Sequence, residues 1–254
     1  MIPYLAAAED ITDSIFGLPI SPAEDLLGRL DRSIADLWSQ AKAGRFWGHV
    51  VSQGFEPELY RLAMVQIFHY TRHNSILQAV AAFRAQSEET ELLRFVYGHS
   101  KEELGQEWLI VNDLKSIGLW VARDAAEAPL PATDALINYL YGVALRDGPV
   151  ARLGYSYWAN SVHREIGPLL LAARESMALT VDNMTFFAAH VRINAQYSEE
   201  VRDALRREVT TPAQAEMVHR VAVTSLWLTI SLLEQAFEAT GHARELQSRA
   251  QRRQ

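Results

Sequence analysis

Residues 91–118 read ELLRFVYGHSKEELGQEWLIVNDLKSIG. Apolar residues recur there every three or four positions: Leu92, Phe95 and Val96, then Leu109, Ile110, Leu114 and Ile117. That period belongs to an amphipathic helix packed along one side. Stepping by three and four between the two halves passes through His99, Glu102, Glu103 and Gln106. The four share one face, because residues three or four apart on a helix are neighbours. A carboxylate on an inward face is costly unless it is paired or metal-bound. The stretch therefore predicts a helix whose polar face looks into a pocket inside a bundle.

The same period runs through the rest of the chain. It predicts helices over 22–42, 57–86, 88–117, 132–146, 149–179, 181–208 and 212–240. Ser21-Pro22, Gly148-Pro149 and Thr211-Pro212 each place proline directly after a residue that opens helices, where a missing N–H costs nothing. Pro168 alone falls inside a helical pattern, which predicts a kink or break near Gly167-Pro168. No segment alternates with period two long enough to form a strand. Asp124–Pro131 (DAAEAPLP) reads as a loop inside one all-α domain spanning 1–254, with 1–20 and 242–254 peripheral.

Composition narrows the chemistry. The 254 residues include no cysteine, so disulfides, thiol nucleophiles and sulfur-ligated metals are excluded. The net charge of −7 argues against a nucleic-acid partner, which needs a basic face. The one basic cluster, Arg244, Arg249, Arg252 and Arg253, reads as a solvated helix end. The N-terminal MIPYLAAAEDITDSIF lacks a basic start and is interrupted by Glu9 and Asp10, so it does not read as a secretory signal. No apolar run of about 18 residues predicts a membrane span, and the expected compartment is the cytoplasm. Phosphate-loop, dinucleotide-binding and serine-hydrolase motifs are missing. His69 and His73 have the spacing of a metal-binding pair, but Tyr70 stands where the zinc-protease pattern needs glutamate. Trp108, Trp158 and Trp227 are expected in the core or along a cavity.

Two further helices repeat the polar pattern of the quoted stretch. Phe186 and Phe187 lead through His190, Asn194 and Tyr197 to Val201 and Leu205. Leu153 and Tyr157 lead to Asn160 and Arg164, ahead of Pro168. Each such residue alone is more often a satisfied core group or one at the edge of the stripe. Three coincident stripes predict one shared cavity.

These motifs resemble a known family. HSKEELGQEWLIVNDLKSIG (His99–Gly118) resembles the His-x-x-Glu-Glu-x-Gly-His signature of haem-oxygenase-like proteins described as iron-containing redox enzymes. ALRDGPVARLGYSYWAN (Ala144–Asn160) and HVRINAQY (His190–Tyr197) resemble that family's next two signatures. The resemblance covers roughly residues 60–205 and implies a seven-helix haem-oxygenase-like bundle and a homodimer. Relatives include haem-oxygenase-like di-iron oxidases, the thiaminase II type and the metal-free pyrroloquinoline quinone synthase. Carried over, the family's first carboxylate matches Glu103 and the histidine of its last motif matches His190. The other four ligand positions fall on Gln106, Asn160, Asn194 and Tyr197. Two of the lost carboxylates are amides here, which removes charge that two ferrous ions need while keeping hydrogen bonding.

The resulting expectation is a metal-free enzyme acting on a small amine, an amino-acid derivative or a carrier-protein-bound metabolite in a biosynthetic pathway. Cyclisation, elimination and cofactor-free oxidation are the reactions considered. Glu103 and His190 form the acid–base pair, with Tyr197 and His99 as further catalytic candidates. Gln106, Asn160, Asn194, Arg164, Trp158 and Glu102 are the substrate-binding candidates. The alternatives are a non-haem iron oxidase or oxygenase holding metal through Glu103 and His190, and a non-catalytic partner subunit.

Overall fold

The computed structural model describes residues 21–241, and within it the side chains of 191–196 lie outside the description. Among the described residues there are ten α-helices and no strand. They are α1 (Pro22–Lys42), α2 (Arg45–Gln53), α3 (Pro57–Ala82), α4 (Thr90–Glu103), α5 (Glu107–Ser116), α6 (Pro131–Arg146), α7 (Gly148–Ala159), α8 (Gly167–Met177), α9 (Thr185–Glu208) and α10 (Pro212–Ala239). Three short 3-10 turns join them at Ala122–Ala125, Val162–Arg164 and Val181–Asn183. The N-terminal stretch and the basic tail lie outside the described residues.

Local chemistry starts these helices where the prolines indicate. The Ser21 hydroxyl accepts from the Glu24 amide at 3.2 Å, and Pro22 fills the first turn of α1. Thr211 caps α10 by accepting from the Gln214 amide at 3.2 Å, while Gln214 accepts from the Thr211 amide at 3.1 Å.

All seven predicted segments are helical, and the rise to ten has three local causes. α2 has no side-chain cap of its own; Glu234 of α10 supplies one by accepting from the Phe46 amide at 2.9 Å. Gly44 makes room, since a Cβ there would lie 2.5 Å from Glu234 Oε1. Periodicity cannot reveal a cap delivered from 188 residues away. The 88–117 segment breaks at Leu104, which is extended, and Gly105, whose φ of +84° favours glycine. The 149–179 segment breaks after Ala159, and Pro168 opens the new helix α8 rather than kinking an old one.

The Gly105 break also corrects the tryptophans. It restarts the helical phase, so α5 buries Ile110, Val111 and Leu114 and leaves Trp108 60 % exposed. Trp227 is 55 % exposed because α10 turns the stripe Val218, Val221, Ala222, Leu226 and Leu232 inward instead. Trp158 alone of the three is buried, and its indole donates to Ser225 Oγ at 2.9 Å. No described helix is long and apolar enough to cross a membrane.

The core centres on α10, which packs against α1, α3, α6 and α7. Gly154 of α7 sets its closest approach: a Cβ there would meet the Val218 carbonyl oxygen at 2.3 Å and the Ala222 nitrogen at 2.9 Å. Both are backbone atoms and cannot rotate aside, so Gly154→Ala is expected to cost about 1–3 kcal/mol. Urea unfolding of the two proteins measures this, and an unchanged midpoint would refute the close approach.

Candidate functional site

The bundle holds a partly open cavity of about 170 Å³. Eight of the ten candidate residues line it: His99, Glu102, Glu103, Gln106, Trp158, Asn160, His190 and Tyr197. The exposed Arg164 does not. It lines a separate surface depression with Asp31, Tyr157 and Arg202, and donates to Ser198 Oγ at 3.4 Å. The helix break at Asn160 moves it there, because Arg164 sits in a 3-10 turn and no longer shares the stripe of Tyr157 and Asn160. The Asn194 side chain lies outside the described residues.

Leu104 and Gly105 end α4 on Glu103, at the helix terminus whose open carbonyls disfavour negative charge. Gln106 turns back and donates its amide to the Glu102 carbonyl at 2.8 Å, satisfying one of those carbonyls. The Glu103 residue is partly buried overall, yet its Oε2 is closed off from solvent and accepts no hydrogen bond. Burial pushes its carboxyl up to about 7, against the opposing pull of Arg152, with Glu102 adding repulsion.

His99 packs between Phe95 and Tyr197, with ring centroids at 4.1 and 4.3 Å. Burial, then the nearby Arg152 charge, lowers it to about 4, so the ring is neutral. His190 meets the Phe186 carbonyl through Nδ1 at 2.8 Å. A carbonyl accepts only from a protonated nitrogen, so Nδ1 carries a proton, and in the neutral ring Nε2 carries the lone pair. Burial lowers the His190 pKa as well. Asp113 of α5 holds the start of α9, accepting from the Thr185 amide at 3.0 Å, the Thr185 hydroxyl at 2.6 Å and the Phe186 amide at 2.9 Å. That buried cap fixes the helix that carries His190.

Two residues escape the sequence reading. His163 lines the cavity with Nδ1 buried and unpartnered. It arrives on the 3-10 turn after Asn160, and only the Pro168 break signals that turn. Arg152 of α7 is 1 % exposed, and none of its guanidinium nitrogens has a hydrogen-bond partner. Its charge lies 4.7 Å over the Tyr155 ring and acts on Glu103 and His99.

The donor set does not fit a di-iron centre. Among the described residues no three His, Asp or Glu side chains converge as metal ligands. The grouping of His99, Glu102, Glu103 and His190 is included in that finding. His69 and His73 belong to no such group: His69 is buried with Nδ1 unpartnered, and His73 Nδ1 lies 3.0 Å from the Tyr141 hydroxyl.

In sequence, no protein-family model and no curated protein matches the chain. Among solved structures the chain is similar to a domain of unknown function with a haem oxygenase-like fold from Shewanella denitrificans OS217. The two share 33 % identity at a TM-score of 0.82, over 86 % of this chain and 94 % of that one. A TenA homologue from P. horikoshii OT3 is 14 % identical at a TM-score of 0.67, over 84 % of this chain and 98 % of its own. A TenA homologue from Pseudomonas syringae pv. tomato DC3000 is 11 % identical at a TM-score of 0.69, over 87 % and 97 %. At those two identities the likeness is one of fold.

The Glu103 carboxyl gives a signed test. Its native pKa of about 7 lies above the ordinary 4.5, so the stability tied to the neutral carboxyl is complete below the lower value and is lost as pH rises through the upper one. Glu103→Gln has no such loss. Its unfolding free energy relative to the parent is expected to rise by up to about 3 kcal/mol from about pH 4 to about pH 8. Denaturant titrations across that range measure the difference, and a flat one would contradict the buried carboxyl.

Proposed function

The chain belongs to the haem-oxygenase-like family of the Shewanella domain, and from that premise we propose that it is a metal-free acid–base enzyme acting on a small amine, amino-acid-derived or carrier-bound metabolite. The observation that carries the reading is one cavity lined both by a carboxyl with a pKa near neutrality and by an imidazole whose Nδ1 is held by the Phe186 carbonyl. General acid–base chemistry needs that pairing: a group that gives a proton and a group that takes one, each matched to the working pH. His190 Nε2 takes a proton from the substrate, and protonated Glu103 returns one at a second atom. Proton relocation of this kind drives eliminations and cyclisations without an electron acceptor.

The remaining side chains hold the substrate between those two groups. Asn160, Gln106 and Glu102 provide polar contacts, and Trp158 forms an apolar wall. Tyr197 and His99 brace the polar end through their edge-to-face contact at 4.3 Å. Partial burial strengthens the polar contacts at the inner end by limiting water there.

A mass-spectrometric screen of pooled primary amines and amino-acid derivatives, run with a chelator present, tests the reading. Consumption of a compound is expected with the parent protein and reduced about 10²–10⁴-fold in Glu103→Gln and His190→Ala. Equal turnover in both variants would refute the assignment. Elemental analysis after anaerobic ferrous loading and desalting is expected to find well under one iron per chain, and two would contradict the metal-free reading.

A further inference from the structure

The cavity has two chemically different ends. It follows α3, with Tyr60, Ala63, Met64 and Ile67 lining one stretch and Thr71 and Asn74 the next. From Tyr60 to Asn74 the helix rises about 21 Å. At the first end Phe46, Phe55 and Tyr60 meet edge to face, with centroids 5.9 and 5.4 Å apart. At the second, Ser75 donates to the Ser100 carbonyl at 2.7 Å and Ser100 donates to the Ser75 carbonyl at 2.9 Å. Those bonds set the His99–Glu103 turn of α4 beside Asn74.

Hydrogen-bond accounting at the polar end leaves a carboxylate oxygen open. Four donors there are committed: Tyr197 to Glu102, the Gln106 amide to the Glu102 carbonyl, Tyr155 to Asn74 Oδ1 and His190 Nδ1 to the Phe186 carbonyl, while His99 Nε2 and His163 Nδ1 are buried without a partner. The open acceptor there is Glu103 Oε2, buried without a partner. No lysine or arginine is among the described residues lining the cavity. A carboxylate or phosphate entering here would meet Glu102 and Glu103 with no lining cation to pair it.

We propose that the cavity binds a primary amine with an apolar body, its ammonium group donating to Glu103 and its body lying along the aromatic end of α3. The inference rests on the acid–base reading of Glu103 and narrows its substrate class. The volume of about 170 Å³ suits a single aromatic ring or a chain of about six carbons, since an apolar cavity of about 150 Å³ holds benzene. Arg152 does not line the cavity, and its charge acts on Glu103 from outside it. The carboxylate then stands between guanidinium and ammonium, an alternation of charge. Trp38 Nε1 and the Tyr60 hydroxyl are buried without partners at the aromatic end, where they suit an ether or carbonyl oxygen on the body.

Calorimetric titration of the full chain with n-hexylamine, 2-phenylethylamine, hexanoate and 1-hexanol at about pH 8 tests this. Both amines are expected to bind at least about tenfold more tightly than hexanoate. Glu103→Gln is expected to weaken hexylamine at least about tenfold and to leave 1-hexanol unchanged. Hexanoate binding as tightly as hexylamine, hexylamine insensitive to Glu103→Gln, or no amine binding at millimolar concentration would each overturn the proposal. Binding is read without turnover. Amine binding with no consumption in the screen would refute the enzyme reading alone, and consumption of a carboxylate with no amine binding would refute this inference alone.

Discussion

A carboxyl group with one oxygen closed off from water and unpartnered, at the C-terminal end of a helix, is the constraint on which the interior depends. Glu103 gains nothing from the dipole of α4, and its Oε2 has no hydrogen-bond partner. Such a group is tolerated when it becomes neutral or when something else supplies a partner. Burial moves its ionisation toward neutrality, and the Arg152 charge limits how far. Glu103 also lines the cavity, where the proposed ammonium group would supply the partner. The Leu104–Gly105 turn makes this possible by ending the helix at Glu103 and sending the chain away in a new phase.

The scaffold holds this arrangement through contacts distant in sequence. Asp113 fixes the start of α9 and with it His190. The paired serines, Ser75 and Ser100, lock α4 against α3. Gly154 lets α7 press directly onto the backbone of α10. These three fixings join the helices that present Glu103, His190 and Trp158 to one space. A site for proton transfer needs that rigidity, because displacement of a reacting atom by about 1 Å sharply reduces the rate.

Much of this was legible in the chain. The three polar stripes at helical spacing located the cavity, since a charged or amide side chain in a core register must face either a partner or a void. The prolines after Ser21 and Thr211 marked true helix starts. What escaped depended on tertiary contact. α2 relies on a cap from Glu234, and Arg164 turned outward when the helix broke at Asn160. His163 reached the cavity on that same break. Arg152 was hidden because a buried guanidinium beside an aromatic ring has no signature in spacing. Trp108 and Trp227 show the converse, large apolar side chains left outside by the phase of their helices.

The central claim is that Glu103 changes charge near neutrality inside the cavity. Carbon-13 NMR of the labelled glutamate carboxyls, with Glu103→Gln identifying the resonance, measures it directly. The account predicts a titration midpoint near pH 7, where the buried carboxyl is placed. A midpoint near the ordinary glutamate value of 4.5 would contradict it.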